Sequence, residues 1–361
     1  MKTGILTYYG VHNHGAVLQA NALKKVLEEM DCEVTFLSFS RNYDMIPREN
    51  AKKYKIGLSS LPFYIQYAFK KGASNIIFNL RKNNLLGKYR SENLSLGVRY
   101  SDFEGDLVVI GSDEVFALDV GVNPFFYGHA VKAKKVISYA GCFGSTTLDF
   151  IEKNRLDSLV ASGLTSLNAV GVRDGNSKFI ADTLTGMAST LVCDPVILYG
   201  YKEEQERFVP KKKDYIVVYS YDKNMNSPEE VVKIKAYAKA NRLKLYSVGY
   251  HHKWCDKNIN ATPDELLGYV KNANLVITDT FHGSVISLIC NTDMVVKLRG
   301  NQNKLGFLLS EYGIANRIIN SFDEIDKVAE NKINYEEINR TIERRRAESK
   351  KFLLSTIGEL Q

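Results

Sequence analysis

The sequence predicts an α/β fold of two domains, each built on a parallel β-sheet and facing the other across a cleft. The chain has 361 residues, more than one ordinary hydrophobic core holds. Strand-like apolar segments alternate with helix-like amphipathic segments, a pattern typical of parallel sheets covered on both faces. A charged, proline-containing stretch at 200–214 interrupts the alternation, which then restarts. Two Rossmann-like domains joined by a linker are therefore expected.

The first series of elements begins near the N-terminus. A helix over 16–30 has apolar residues at helical spacing and a charged far face, and another helix begins at about Ser177. The basic stretch from 41 to 100 has no clear period and is predicted to be an insertion of helices. Six segments of this series are predicted to be strands: 4–9, 33–39, 106–116, 135–141, 167–174 and 190–198.

The second series follows the predicted linker, with helices over 228–240 and 262–270. The latter begins with Thr262 as N-cap and Pro263 at the first helical position. Its predicted strands are 215–220, 243–249, 274–278 and 294–298. The predicted domains are an N-terminal domain (1–199) with an insertion at about 41–100, a C-terminal domain (214–334) and a charged C-terminal helix (335–361).

The composition is typical of a globular protein, and we expect it to be cytoplasmic. Hydrophobic residues make up 45% and charged residues 25% of the chain. No apolar run approaches the roughly 18 residues of a membrane span, and the N-terminus lacks the features of a signal peptide. The five dispersed cysteines suggest reduced thiols. No metal-ligand spacing is present, so we expect neither a metal nor a cofactor.

Positive charge is concentrated in the predicted insertion. The chain has a net charge of +7, whereas residues 41–100 contain twelve basic and three acidic residues. Such a patch attracts phosphates, nucleic acid or an anionic membrane surface, and it is equally consistent with a solvated helical face. Because no nucleic-acid-binding motif accompanies it, no nucleic-acid partner is expected. Peripheral contact of residues 41–100 with the inner membrane face is one interpretation.

Ligands of parallel sheets bind beyond the carboxyl ends of the strands. This rule selects five loops: 9–15, 111–116, 141–145, 173–177 and 279–284.

The last of these loops holds a histidine between a strand and a helix, in "LVITDTFHGSVISLI" (275–289). The free backbone N–H groups of Gly283 and Ser284 would face an anionic ligand. His282 could donate to a phosphate or carboxylate, or move a proton near neutral pH. Alternatively, His282 caps its own turn.

Several motifs together resemble the polysaccharide pyruvyl transferase family. They are "GILTYYGVHNHGAVLQANALKKVLEEM", "VIGSDEVF", "ISYAGCFG", "VGVRDGNS", "VCDPVIL", "VITDTFHGSVISLICNTDMVV" and "NKLGFLLSEYGIANRII". Their order and spacing cover almost the whole chain apart from the insertion and the tail. The resemblance implies a fold similar to GT-B glycosyltransferases. It also implies transfer of a pyruvyl group from phosphoenolpyruvate to two hydroxyls of one sugar, giving a cyclic ketal.

This chemistry requires anion-binding groups, a general acid and a general base. The resemblance implies that His282 contacts the donor and gives it a proton, and that Arg173 in "VGVRD" holds the donor's anionic groups. Asp113, in "GSDEVF", would be the base for the acceptor hydroxyl. Alternatively, Arg173 pairs with Asp174, and Asp113 is a turn residue.

The remaining site predictions divide into acceptor and donor contacts. We predict that the acceptor sugar contacts Asn13, His14, Gly15, Ser112 and His251, although the turn at 13–15 fits a plain N-cap equally well. Some family members have an arginine where this chain has Thr280. The donor phosphate would then be held from elsewhere, by Lys297, Arg299 or Lys304, or by Arg173 alone. Thr280, Gly283 and Ser284 are the other predicted donor contacts.

The expected acceptor is a cell-surface polysaccharide or its lipid-linked precursor. Two other functions remain open at this point. One is a GT-B glycosyltransferase that uses a nucleotide sugar, for which the His282 loop would serve the diphosphate equally well. The other is a non-catalytic glycan-binding protein, which needs no donor. The glycine spacing of a dinucleotide-binding turn is absent, so an oxidoreductase is not expected.

Overall fold

The chain folds into two parallel β-sheets covered by helices, in a computed structural model that describes residues 1–43, 45 and 61–358. The first sheet contains β1 (Lys2–Leu6), β2 (Glu33–Ser38), β3 (Leu96–Arg99), β4 (Leu107–Ile110), β5 (Lys135–Gly141), β6 (Ala169–Val172) and β7 (Thr190–Leu191). The second contains β8 (Tyr215–Tyr219), β9 (Lys244–Val248), β10 (Lys257–Ile259), β11 (Leu275–Thr278), β12 (Met294–Lys297) and β13 (Ile318–Ile319).

The helices surround these sheets. They are α1 (His14–Glu28), α2 (Leu61–Asn93), α3 (Leu148–Lys153), α4 (Asp157–Ser166), α5 (Gly175–Thr185), α6 (Pro195–Tyr199), α7 (Glu204–Arg207), α8 (Pro228–Ala240), α9 (Pro263–Lys271), α10 (Phe281–Ile289), α11 (Phe307–Glu311), α12 (Ile325–Glu330) and α13 (Tyr335–Gly358).

The strand orders are β3-β2-β1-β4-β5-β6-β7 and β10-β9-β8-β11-β12-β13, and neighbouring strands are parallel throughout. Every residue of β4 (LVVI), β8 (YIVVY) and β11 (LVIT) is buried. Because helices cover both faces of these central strands, continuous apolar runs suit them better than alternating patterns. The predicted fold of two Rossmann-like α/β domains is confirmed.

The last strand predicted for the first series differs from the structure. The strand predicted over 190–198 ends at Leu191, and α6 begins at Pro195. Asp194 is the N-cap of α6, and its side chain accepts a hydrogen bond from the backbone N–H of Val196. An Asp-Pro pair favours a helix start, which here overrides the apolar run. The predicted helix start at Thr262–Pro263 is confirmed and forms a capping box with Glu265.

The stretch predicted as an interdomain linker is packed in its first half. It contains α7, and Tyr201, Glu204 and Gln205 are buried. The Tyr201 hydroxyl donates a hydrogen bond to the Leu18 carbonyl at 2.7 Å. These contacts hold the connection against α1.

The C-terminal helix, α13, returns to the first sheet. The Ser349 hydroxyl accepts a hydrogen bond from the backbone N–H of Cys193 at 2.9 Å, and Arg346 donates to the Ile197 carbonyl at 2.6 Å. The Phe352 ring lies 6.4 Å from that of Tyr139 on β5. The helix therefore supports the turn that presents Asp194.

The predicted basic insertion contains one long helix, α2, with non-helical backbone angles at Gly72. Asn75, Phe78, Lys82, Leu86 and Tyr89 form its buried face. Residues 44 and 46–60 of the insertion, including Arg48, Lys52, Lys53 and Lys55, lie outside the described residues. Within the described part of the chain, no helix combines the length and apolar character needed to cross a bilayer.

Candidate active site

A cavity of about 530 Å³ lies between the two sheets. Its walls come from loops that follow β1, β2, β4, β8, β9, β11 and β12. These loops leave the carboxyl ends of their strands, where parallel sheets collect their ligands. Four cations and three carboxylates line it, so its lining has one excess positive charge: Arg41, Lys223, Arg299 and Lys304 against Asp113, Glu114 and Asp279.

A buried arginine lies directly behind the cavity lining. The Arg173 guanidinium donates to Asp194 Oδ2 at 2.8 Å and to Asp113 Oδ1 at 3.2 Å. Its flat face lies 4.1 Å from the centre of the Phe281 ring. Only 2% of the Arg173 side chain is exposed. The guanidinium is thus shared between two carboxylates, and its pairing with Asp174, the N-cap of α5, is not observed.

Asp113 is presented to the cavity by an unusual backbone. Its φ of 73° lies in the left-handed region, which few residues other than glycine adopt. Burial would raise the pKa of its carboxyl, but the positive charges of Arg173 and Lys304 oppose burial, and the pKa lies below its ordinary value. Asp113 is therefore ionised at neutral pH and suits the role of a base or hydrogen-bond acceptor.

His282 lies in the first turn of α10, on the wall of the cavity. Its Nε2 has no hydrogen-bond partner among the described residues and lies 3.7 Å from Asp194 Oδ2. Burial lowers the pKa of the imidazole, while Asp194 and Asp113 act to raise it. The ring is neutral at pH 7 in the absence of a ligand, and Nε2 is a buried atom without a hydrogen-bond partner among the described residues.

The His282 ring packs against the backbone of Gly15 from the other domain. A Cβ added at Gly15 would lie 2.4 Å from Cγ of the imidazole, whereas one added at Gly10 meets no atom within 4 Å. We expect Gly15→Ala to displace the ring and strongly reduce turnover, and Gly10→Ala in the same loop to leave it unchanged. Steady-state kinetics of both variants, with circular dichroism as a folding control, test this. Equal turnover by the two variants would contradict the predicted contact.

The other cations differ in how fully they are paired. Lys304, in a π-helical turn at Gln302–Gly306, lies 2.5 Å from Glu114 of the opposite domain. Arg299 binds both Asp279, at 2.8 Å, and Glu230, at 2.6 Å. Arg41 and Lys223 have no ion pair with a carboxylate of the described residues. An anionic ligand would find two unpaired and two paired cations here.

The structure brings several of the predicted residues together. Asn13, Asp113, Thr280, His282 and Arg299 line the cavity, with Arg173 directly behind Asp113. The Thr280 hydroxyl is the N-cap of α10 and accepts a hydrogen bond from the backbone N–H of Gly283 at 3.0 Å. The Asn13 side chain caps α1 in the same way. Both residues therefore organise their loops, which positions the remaining polar atoms.

Four predicted acceptor contacts lie outside the cavity lining, and one of them, Gly15, packs against the His282 ring as described above. The His14 ring is fully buried, bonds the Ala261 carbonyl at 2.8 Å, and has its pKa lowered to about 3 by burial. Ser112 is buried and bonds Gln19. The His251 ring packs edge-to-face on Phe78 at 5.5 Å. These residues hold the loops and the two domains together.

Three predicted donor contacts likewise have structural partners. Lys297 donates to the Asn320 carbonyl, away from the cavity. A Cβ at Gly283 would lie 2.2 Å from the Thr278 hydroxyl, so this glycine permits close packing of α10 on β11. Ser284 is fully buried and its hydroxyl donates to the Thr280 carbonyl. None of these three lines the cavity among the residues that the structure describes.

Sequence reasoning gave no role to several residues at the site. Asp194 joins Arg173 to the neighbourhood of His282, but it lies in a segment that the apolar pattern assigned to a strand. Its signal was the following proline. Glu114, Arg41 and Tyr250 line the cavity, yet each lies in a segment without a distinctive spacing.

The fold is similar to that of known sugar-modifying enzymes. Each of the following matches covers 99% of this chain. The UDP-N-acetylglucosamine 2-epimerase of Rickettsia bellii has a TM-score of 0.53 and 9% identity over 96% of its own chain. Arabidopsis thaliana UGT89C1 complexed with quercetin has a TM-score of 0.51 and 10% identity over 99% of its chain. The glycotransferase of kitacinnamycin has a TM-score of 0.50 and 11% identity over 98%. These likenesses establish a GT-B-like fold.

Sequence comparison identifies the family. No curated protein gives a significant match to this chain. The family model described as "Polysaccharide pyruvyl transferase" matches residues 13–296, which includes Asn13, Asp113, Arg173, Asp194 and His282. Since the match covers most of the sequence, the chain belongs to the polysaccharide pyruvyl transferase family.

Proposed function

We propose that the protein transfers a pyruvyl group from phosphoenolpyruvate to two hydroxyls of one sugar, in a cell-surface polysaccharide or its lipid-linked precursor, and forms a cyclic ketal. The observation that carries the proposal is the unpartnered Nε2 of His282 on the wall of a cation-lined cavity, next to an ionised carboxylate. A proton donor, a base and anion-binding groups are the three things this reaction needs.

The cations of the cavity suit the donor. Phosphoenolpyruvate carries a phosphate and a carboxylate, each of which is best bound by charged N–H donors. Lys304, Arg299 and Lys223 project from the C-terminal domain beside His282. They replace the arginine that other family members have at the position of Thr280. Because both terminal nitrogens of Arg173 donate to carboxylates, we assign it the role of positioning Asp113 and Asp194.

The reaction begins with protonation of the donor. A proton from the His282 imidazolium is added to C3 of the enol phosphate, which makes C2 electrophilic. The first sugar hydroxyl bonds to C2 and loses its proton to Asp113. The bond between C2 and the phosphate oxygen then breaks. The second hydroxyl adds to C2 and loses its proton, so that the products are the ketal carboxylate and hydrogen phosphate. One hydroxyl proton replaces the proton given to C3, and the other leaves with the phosphate.

The electrostatics of the free site support these roles. The imidazole of His282 is neutral without a ligand because burial lowers its pKa. The negative charges of bound phosphoenolpyruvate would raise that pKa and favour the imidazolium. Asp113 stays ionised because the charges of Arg173 and Lys304 oppose the effect of burial. Donor binding would thus favour protonation of His282, the acid, and leave Asp113, the base, ionised.

Solvent isotope incorporation tests the reaction. Phosphoenolpyruvate and a panel of hexose and N-acetylhexosamine glycosides are incubated with the protein in D₂O, and products are analysed by mass spectrometry. We expect inorganic phosphate to form in equal amount with a ketal whose methyl group contains one deuterium. Glycosyl transfer from a nucleotide sugar onto the same panel, without consumption of phosphoenolpyruvate, would overturn the proposal.

A further inference from the structure

A buried lysine on α2 is not used by the proposed reaction. Lys82 is only 4% exposed, and its Nζ lies 4.2 Å from the centre of the Tyr250 ring. Tyr250 lines the cavity, and its hydroxyl donates to Asn13 Oδ1 at 3.4 Å. Lys82 therefore lies just behind the cavity lining, against Tyr250.

The ammonium of Lys82 has neither a hydrogen-bond acceptor nor a carboxylate within ion-pair distance among the described residues. The carboxylate with the strongest influence on it, Asp222, accepts hydrogen bonds from the side chains of Asn75 and Asn79 and from the backbone of His251. Burial lowers the pKa of Lys82 to about 8, although Asp222 acts to raise it. A buried and unpaired cation is costly, so its retention calls for an anion that binds it.

Two further cations and a histidine surround the same loop. Arg90, in the last turn of α2, donates to the Val11 carbonyl at 3.1 Å. Arg41 lies 4.9 Å from the centre of the Tyr8 ring. His12 belongs to the same loop, and its pKa is lowered by burial and then by the charges of Arg90, Lys82 and Arg41. Mutual repulsion of these groups would be relieved by a ligand with more than one negative charge.

We propose that Lys82, Arg90, Arg41 and His12 form an anion subsite at the rim of the cavity, which binds a diphosphate linking the acceptor sugar to its carrier. The assignment to the acceptor rests on the proposed function. The subsite is built by the N-terminal domain and lies apart from the donor-side cations Arg299 and Lys304. A diphosphate suits it better than a neutral sugar because its charges can be shared by several cations.

Calorimetric titration with inorganic pyrophosphate tests the subsite. We expect Lys82→Met to weaken pyrophosphate binding at least about 10-fold, because a nearly buried charge pair is lost. Lys88→Met is the matched control on the same helix, since the Lys88 side chain is 76% exposed, and it should bind as the wild type does. Wild-type affinity in Lys82→Met, or no binding by the wild type, would overturn the proposal. So would a loss caused by Lys304→Met alone, which would locate the pyrophosphate at the donor side.

Thermal stability separates a binding role from a structural one. Methionine keeps the unbranched stem on the Tyr250 ring and removes an unpaired buried charge, so Lys82→Met should melt at or above the wild-type temperature. A clear decrease in its melting temperature would assign Lys82 to the domain interface and overturn the proposal. Arg90→Met gives a second, independent loss of pyrophosphate affinity.

Two diphosphates distinguish the possible carriers. Tighter binding of uridine diphosphate than of pyrophosphate would support an acceptor carried on a nucleotide. Tighter binding of farnesyl diphosphate, in detergent micelles, than of pyrophosphate would support an acceptor carried on a lipid. Phosphoenolpyruvate titrated into Lys82→Met should bind as in the wild type. If phosphoenolpyruvate fails to bind either protein while pyrophosphate binding still depends on Lys82, the proposed donor is wrong and the subsite stands.

Discussion

Replacement of His282 by alanine is expected to reduce turnover of phosphoenolpyruvate by about 10²- to 10⁴-fold, the range contributed by a positioned acid or base. The Nε2 of this ring has no protein partner among the described residues, and His282 lines the cavity. No other histidine lines the cavity in the described chain. The loss should therefore fall on the chemical step and appear in single-turnover measurements with saturating donor.

His251→Ala provides the matched control. It also removes a histidine that follows a strand of the second sheet, but its ring packs on Phe78 outside the cavity lining. We expect nearly normal turnover from this variant, with at most a lower melting temperature. If both variants lost activity equally, or if His282→Ala kept wild-type single-turnover rates, His282 would not be the proton donor.

Replacement of Arg173 by methionine is expected to lower the free energy of unfolding by about 3–5 kcal/mol at neutral pH. The guanidinium is shared by Asp113 and Asp194, and its side chain is 2% exposed. Methionine would leave the buried carboxylate of Asp194 and the partly buried carboxylate of Asp113 without their cation. Urea denaturation measures the change. Arg344→Met is the control, because that arginine is 60% exposed in an i,i+4 pair with Glu348, and such pairs contribute about 0.3–0.5 kcal/mol.

The penalty of Arg173→Met should decrease in acid. In the wild type the pKa of Asp113 is lowered, so its contribution to stability is present above the unfolded-state pKa and is lost as pH falls. Without the guanidinium, burial would raise this pKa above the unfolded value, and stability would be lost as pH rises. The difference between the two proteins should therefore be smaller near pH 4 than at pH 7. A penalty that is constant with pH would contradict this account of the cluster.

The sequence was sufficient to predict the fold because its central strands are continuous apolar runs. β4, β8 and β11 are buried on both faces and were recognised, as was β5 with its bounds. The edge strands β3, β10 and β13 were missed because they have two to four residues, too few for a period to appear. β3 is also fully exposed, so it lacks the apolar signal of the central strands.

The candidate site was only partly predictable. The rule that ligands gather at the carboxyl ends of strands selected the loops that hold Asp113, Arg173 and His282. Contacts between distant segments could not be predicted, such as the packing of His282 on Gly15 or the sharing of Arg173 by two carboxylates. Local spacing also cannot show that His14 is turned away from the cavity, because its neighbour Asn13 lines it.

Calorimetric titration of phosphoenolpyruvate into the wild type and His282→Ala, beside a panel of nucleotide sugars, tests the central claim most directly. We predict saturable binding of phosphoenolpyruvate to the wild type, weaker binding to His282→Ala because Nε2 contacts the bound donor, and no comparable binding of a nucleotide sugar. Clear binding of one nucleotide sugar, with none of phosphoenolpyruvate, would contradict the account and favour a glycosyltransferase that uses this cavity for a nucleotide diphosphate.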